Sequence, residues 1–518
     1  MAKAVLTQKY FLPESDFIVG SQIIDIVTAG MYNNPLMVVR EYIQNAVDSI
    51  DAAYDRGFIA YGEERIDIKI DGINRNISVM DNGIGVSREN ADVLLRCLGC
   101  STKDRQKQRG FRGIGRLGGL GYCDQIIFET RGGKYDPIFS LTWDAKKLQE
   151  ATSKNGNCIS AEEAIEKIVS VNEIKSSPND PPHFFKVTMR NVRQFHRDEL
   201  MNPRSVASFL GKVAPVDFDA SFAFAPDIRK YISSVPGYRT YNIFMNGEKI
   251  ARPHTEQLPL RGKNSDVIKG IETFTIKGPE GRDIGRGWYA VTNFLAALPP
   301  QVAMRGLRVR QGNIEIGDEY YLANLYSERR FASWHIGEVH LDYSMKANAR
   351  RDGFEQSPEH EAFLEQMTSL CRHLSGQCRD SSKRRSKEKA IENAIDRIEE
   401  LVSLRVVIDA EDVRQCCEQV EARTREILDT YGNSEYVTHL KERLQNIFRA
   451  KDVELKMKPI FAELIDGRRV QADPREILQE IAKAVLDAYD GKMSKDRLLF
   501  KIFGRYMRKN ALLKLTGR

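Results

Sequence analysis

The chain has 518 residues, 42% hydrophobic and 29% charged, with a formal net charge of +6 and eight cysteines. Its length predicts several domains, roughly three, and no run of 18 or more apolar residues offers a membrane span. Eight cysteines in so long a chain argue against a disulfide scaffold and for a reducing, cytoplasmic setting; the opening MAKAVLTQKYFLPESDF lacks the pattern of a secretory signal.

Residues 20–56 read as helical throughout, stopping at the Arg56-Gly57 step. RIDIKID follows, with Ile66, Ile68 and Ile70 alternating with polar residues, then an Asp71-Gly72 turn and NISVMD, a second strand. QIIFET, PIFSLTW and FFKVTMR read as further strands. A polar helical insert separates the last two and closes on the SSPNDPP loop. From about 203 to 375 the pattern is mixed α and β, with YNIFMNGEKI and GLRVRQGNIEIG. In RGLRVRQGN, Arg308 and Arg310 share one strand face with Arg305 in the preceding turn; a solvated, charged edge is expected, with partner or nucleic-acid contact as the alternative. SSKRRSKEK (381–389) reads as a linker or exposed turn, and IENAIDRIEELV places Ile391, Ile395, Ile398 and Val402 at helical spacing. Cys97 with Cys100, and Cys371, His373 and Cys378, each fall short of a zinc ligand set and read as packing residues. Residues 491–518 carry nine Lys/Arg against one Asp, a net of +8 that leaves −2 for the remainder. Such a tail suits self-packing, a second subunit, nucleic acid or a membrane surface.

Three motifs carry chemistry. In VVREYIQNAVDS, Glu41, Asn45 and Asp48 stand four and three residues apart, on one helix face. NISVM then delivers Asp81 at a strand end, followed by DNGIG. There Gly83 and Gly85 allow a sharp turn and close approach to a planar ligand, and a carboxylate so placed accepts a hydrogen bond from an exocyclic amine. Finally Gly110, Gly113 and Gly115 form GxxGxG, continued by Gly118, Gly119 and Gly121. This is an anion cradle of backbone amides with Lys103, Arg109, Arg112 and Arg116 around it. No strand precedes the glycines, which removes a Rossmann reading, and the absence of GK[ST] removes a P-loop.

The order ExxxNxxD, DxGxG, GxxGxG resembles the GHKL ATPases, which include gyrase, heat-shock chaperones, histidine kinases and MutL. Within them QIIDIVTAGMYNNPLMVVREYIQNAVDSIDAA and GEVHLDYSMKANARRDGF are similar to the ninety-kilodalton heat-shock chaperones, HtpG in bacteria. The resemblance implies an α+β chain. A Bergerat-fold α/β sandwich would occupy 1–200, an α/β middle domain 201–378, and a helical C-terminal domain with the basic tail 379–518. It implies binding and hydrolysis of ATP with Mg²⁺: Glu41 polarising the attacking water, Asn45 holding the metal, Asp81 binding the adenine amine with Asp48 in support. Gly83 and Gly85 would give way to base and ribose, Gly110, Gly113 and Gly115 would wrap the phosphates in a lid, and Lys103 stands where lid residues touch phosphate. From Asn348-Ala-Arg-Arg351-Asp it implies an arginine at the γ-phosphate, Arg351 first and Arg350 in reserve.

One departure stands out. The family's Gly-Thr at the start of the last nucleotide-site strand is replaced by Phe184 and Phe185, and Thr188 belongs to a different register. The expected activity is an ATP-driven clamp: a homodimer closing through its N-terminal domains on a protein client or within a multi-protein complex. The alternatives are a nucleic-acid clamp of the MutL or microrchidia kind, and an ATP-binding switch within a complex, with anti-phage defence as one setting. A histidine kinase is disfavoured because only about 20 residues precede the first predicted helix, too few for a phospho-accepting helix.

Overall fold

The computed structural model describes residues 34–87, 90–91, 115–148, 160–194, 197–262, 264–348, 350–403, 410–432 and 435–449. The chain parts into two compact units, 1–382 and 383–518. Helix α1 (Leu36–Asp55) starts later than the expected 20–56 run, with Pro35 at its N-cap and Asn34 Oδ1 accepting the Leu36 N–H at 3.0 Å. Proline has no N–H to give and pushes the residue before it out of the helical region, so a helix continuous through 34–35 is not formed. The end falls as expected, with Arg56 as C-cap and Gly57 at φ +69°.

One face of α1, built from Val38, Val39, Tyr42, Ile43, Ala46, Val47 and Ile50, is no more than 4% exposed and packs on a sheet. That sheet contains β1 (Ile66–Asp71), β2 (Asn76–Asp81), β3 (Gln125–Arg131), β4 (Ile138–Asp144), β5 (Val169–Ile174), β6 (Phe184–Arg190), β7 (Ile243–Met245) and β8 (Glu248–Lys249). Their order is β5-β4-β3-β6-β2-β1-β7-β8, antiparallel except where β1 meets β7. Five strands, β1, β2, β3, β4 and β6, lie where the sequence predicted them, with Ile66, Ile68, Ile77 and Val79 turned into the core. Among the described residues the insert before β6 is helical over 145–148 and over α2 (Ala161–Ile168). β5 follows it at once, an edge strand in which only Val169 and Val171 turn half-buried toward the core, an alternation too short to stand out as a strand. Residues beyond 200 supply β7 and β8, so the first sheet is completed by strands from outside the expected 1–200 segment.

After α3 (Pro203–Val213) and α4 (Ala225–Ile232), the ladder of β9 (Gln257–Pro259) and β10 (Ser265–Val267) precedes a five-stranded sheet. Its strands are β11 (Gly270–Lys277), β12 (Asp283–Val291), β13 (Gly306–Gln311), β14 (Ile314–Ile316) and β15 (Ile336–Leu341), in the order β11-β12-β15-β13-β14. Gly312 and Asn313, both at positive φ, make the tight β13–β14 turn. Helix α5 (Pro358–Ser403) covers this sheet with Phe363, Met367, Cys371, Leu374 and Cys378. Both cysteines are therefore core residues, while His373 faces outward.

Two expectations fail here. Arg308 and Arg310 do share a face, but it is neither a solvated edge nor a docking strip, because β13 is interior to the sheet and the two are 3% and 0% exposed. Arg308 pairs with Glu315 at 2.5 Å, and Arg310 with Glu338 at 3.0 Å. Arg252 reaches the other Glu338 oxygen at 2.7 Å, and His254 and His340 flank it. The second concerns SSKRRSKEK: the boundary between the two units, Ser382–Lys383, does fall within it, but the stretch is helical within α5 rather than a loop or turn. Its residues tolerate helix well, and Arg384 bonds Glu388 one turn on at 2.9 Å. In the second unit Ile391, Ile395 and Ile398 pack with residues of α6 (Ala410–Tyr431) and α7 (Glu435–Arg449), namely Val420, Ile427, Val437 and Leu440. The basic tail lies outside the described residues.

Burial holds His335 down to about 3 and His340 down to about 4, and lowers His254 as well. His335 and His340 stay neutral in the folded chain down to about pH 5, whereas an unfolded histidine takes a proton near pH 6.5. The unfolded state therefore binds more protons below that pH, and stability falls on acidification. Between pH 6.5 and 5, His335 and His340 should each remove about 2 kcal/mol. Glu338 is not the cause in this window. Burial acts to raise it, but Arg252 and Arg310 hold it well below the usual carboxylate range, so its contribution is lost only at far lower pH. Urea unfolding of the full chain should show a clearly lower midpoint at pH 5 than at pH 7; equal midpoints would contradict this account.

Candidate active site

The polar stripe of α1 is buried, not solvated. Glu41 is 8% and Asp48 4% exposed, with Asn45 part-exposed between them. Arg40, itself 2% exposed, donates to Glu41 Oε1 at 3.4 Å and to the Arg350 carbonyl at 3.1 Å. This second bond spans 310 positions of sequence and seats the 348–353 loop against α1.

Within that loop the two candidate arginines separate. Arg350 contributes its carbonyl and leaves its side chain exposed, whereas Arg351, at φ +54°, is 6% exposed. Burial lowers the Arg351 guanidinium below its ordinary value; Glu41 and Asp48 act to raise it, and Arg40 to lower it. Arg351 thus lies within electrostatic reach of both carboxylates of the α1 face. Asn348 and Asp352 brace the loop, Asn348 Nδ2 donating to Asp352 Oδ1 at 2.5 Å.

Asp81 ends β2, 3% exposed, and its Oδ1 accepts the Gly83 N–H at 2.9 Å. The glycines of DNGIG answer first to the fold. A Cβ on Gly83 would stand 2.2 Å from Ser49 Oγ, and one on Gly85 would stand 2.0 Å from the Arg131 carbonyl. The turn is pressed between α1 and β3, with Ile84 N–H bonded to the Ser49 carbonyl at 3.1 Å. Gly85 also sits at φ +64°, so Gly85→Ala combines a left-handed backbone with a backbone clash. We expect it to lower stability by about 1–3 kcal/mol in chemical unfolding; a loss within roughly 0.5 kcal/mol, the size of a surface substitution's effect, would refute this reading of the turn.

Gly115 opens a 3₁₀ turn, Gly115–Gly121, that packs on α1. A Cβ on Gly119 would lie 2.3 Å from the Tyr42 hydroxyl. Lys103, Gly110 and Gly113, with Arg109, Arg112, Cys97 and Cys100, lie outside the described residues.

Several residues of the site were missed in the sequence. Arg40 had a signal, a charge at an apolar position of the helix directly before Glu41. His183 had none: its Nδ1–H donates to the Gly83 carbonyl at 2.7 Å, pinning the DNGIG turn. Thr130 had none either. Its hydroxyl donates to the Phe184 carbonyl and accepts the Val86 N–H, both at 2.9 Å. The Phe185 departure is now placed: Phe185 pairs directly with Asp81 across β6 and β2, whereas Thr188 pairs with Ser78 on the opposite face.

The donor types fit Mg²⁺ and a nucleotide: an amide oxygen at Asn45, carboxylates at Glu41 and Asp48 on the same helix face, and the buried Arg351 guanidinium within electrostatic reach of both carboxylates. Residues 32–177 match the family described as Histidine kinase-, DNA gyrase B-, and HSP90-like ATPase. The chaperone protein HtpG of Acinetobacter baylyi is 30% identical over 130 residues, covering 21% of this chain and 20% of that protein. That of Polaromonas naphthalenivorans is 28% identical over 142 residues, 24% of this chain and 22% of the other. That of Klebsiella pneumoniae is 24% identical over 149 residues, 25% and 24%. The matched stretch spans only about a fifth to a quarter of these curated relatives. No helix among the described residues is long and apolar enough to cross a membrane.

Proposed function

We propose, from the match of residues 32–177 to the GHKL-type ATPase family and their likeness to heat-shock chaperones, that the protein hydrolyses ATP and works as a clamp, a dimer closing on a protein client or within a multi-protein complex. One observation carries the reading. An arginine from far downstream, Arg351, is buried beside Glu41 and Asp48 on the nucleotide helix.

In this reading Glu41 orients and deprotonates the attacking water, held in place by Arg40. Asp81 takes the base amine, its carboxylate aimed by the Gly83 N–H. Asn45 offers its amide oxygen to Mg²⁺, which when bound would neutralise phosphate charge. Arg351 supplies the remaining positive charge where negative charge builds up. Because its loop belongs to the second half of the chain, its seating ties nucleotide state to domain position. The protein-client form is preferred over a nucleic-acid clamp because the RGLRVR strand, one of the two features that favoured nucleic acid, is buried and ion-paired.

Steady-state phosphate release from Mg·ATP tests this directly, with Arg351→Ala beside the wild type. The wild type should turn over, and the variant should lose about 10²–10³-fold in kcat with ATP still bound. A wild type that binds ATP without hydrolysing it would leave a nucleotide switch in place of a clamp ATPase. Stimulation of turnover by duplex DNA, falling steeply with salt, would favour the nucleic-acid form.

A further inference from the structure

Which feature of a nucleotide base this site reads, given the reading above, depends on what flanks Asp81. By cross-strand pairing, one row on the helix-facing side of the sheet runs Asp81, Phe185, Thr130. Asp81 can only accept hydrogen bonds when ionised, and its Oδ1 is already aimed by Gly83. Thr130 is fully buried, and its one hydroxyl proton goes to the Phe184 carbonyl. Between them Phe185 presents a part-buried ring, tilted against Phe128 at 6.0 Å, with no polar atom. Two other hydroxyls stand near but do not serve. Thr188 belongs to the opposite face, and Ser49 Oγ has no open surface and lies under Gly83. Among the described residues this row therefore offers an acceptor and an apolar ring, and no spare donor.

We propose that the pocket identifies its base by the exocyclic amine alone, and that Phe185 is the specificity-determining residue that leaves the adjoining ring nitrogen unread. An amine donates to the Asp81 carboxylate; an oxo group in its place sets lone pairs against lone pairs and is rejected. Adenine N1 is an acceptor, and reading it requires a donor beside the carboxylate. A threonine at 185 would bring one, directly or through a water; a phenyl ring brings none and excludes the water.

Isothermal titration of the full chain with ATP, purine riboside triphosphate and 1-deaza-ATP in Mg²⁺ separates these features. Purine riboside triphosphate, which lacks the amine and keeps N1 as an acceptor, should bind at least about tenfold more weakly than ATP, the loss of a hydrogen bond to a charged group. 1-Deaza-ATP, which lacks the ring nitrogen, should bind within about threefold of ATP. Phe185→Thr should make the pocket discriminate, with ATP favoured over 1-deaza-ATP by at least about fivefold. Should that variant fail to fold, the wild-type ratios alone still decide. A wild type that binds ATP but loses 1-deaza-ATP tenfold or more, on the scale of a full hydrogen bond, overturns the proposal and leaves the ATPase reading standing. Equal binding of purine riboside triphosphate and ATP also overturns it. Binding of none of the three overturns both.

Discussion

Glu41→Ala should lower ATP turnover by about 10²–10⁴-fold, the range a positioned general base contributes, while ATP affinity stays within a few-fold of wild type. Glu41 is the carboxylate that Arg40 holds on the α1 face, and Arg351 lies within reach of it. Removing it takes away the proton acceptor but leaves Asp81 and its Gly83 anchor, on which base binding depends. Parallel measurement of phosphate release and of ATP binding separates the two. Unchanged turnover would remove Glu41 from the chemistry and with it the reason for the ExxxNxxD face. Loss of binding along with turnover would make Glu41 a structural residue of the site.

The second large effect lies away from nucleotide. Glu338→Gln should destabilise the chain by about 3–5 kcal/mol, because it leaves buried guanidinium groups without their counter-charge. Glu338 is 0% exposed and meets both Arg252 and Arg310. Arg252 also holds the Val216 carbonyl and Asn313, and Arg310 bonds the Lys212 and Ala214 carbonyls. The cluster thereby fastens the five-stranded sheet to the segment that follows α3. An exposed pair such as Arg65–Asp67, with the arginine half open to solvent, is the control: Asp67→Asn should cost at most about 1 kcal/mol. If Glu338→Gln unfolds at the wild-type urea midpoint, the cluster is not a stabilising joint.

The sequence by itself determined what neighbouring residues decide between them. Alternation in IDIKID, and the Asp71-Gly72 turn before NISVMD, marked two strands; Gly57 marked the end of α1; the ExxxNxxD spacing put Glu41, Asn45 and Asp48 on one face. It misread elements whose state is set from outside. VSVNEI forms a strand because β4 offers an edge, SSKRRSKEK is helical because α5 runs through it, and RGLRVR is buried because glutamates from β14 and β15 neutralise it. Only the tertiary structure decided that Arg351 rather than Arg350 turns toward α1, that Phe185 stands across from Asp81, and that His183 and Thr130 hold the DNGIG turn. The physical reason is range. Periodicity and turn chemistry act over a few bonds of backbone, whereas register and the meeting of residues 310 positions apart are settled by which surfaces pack together.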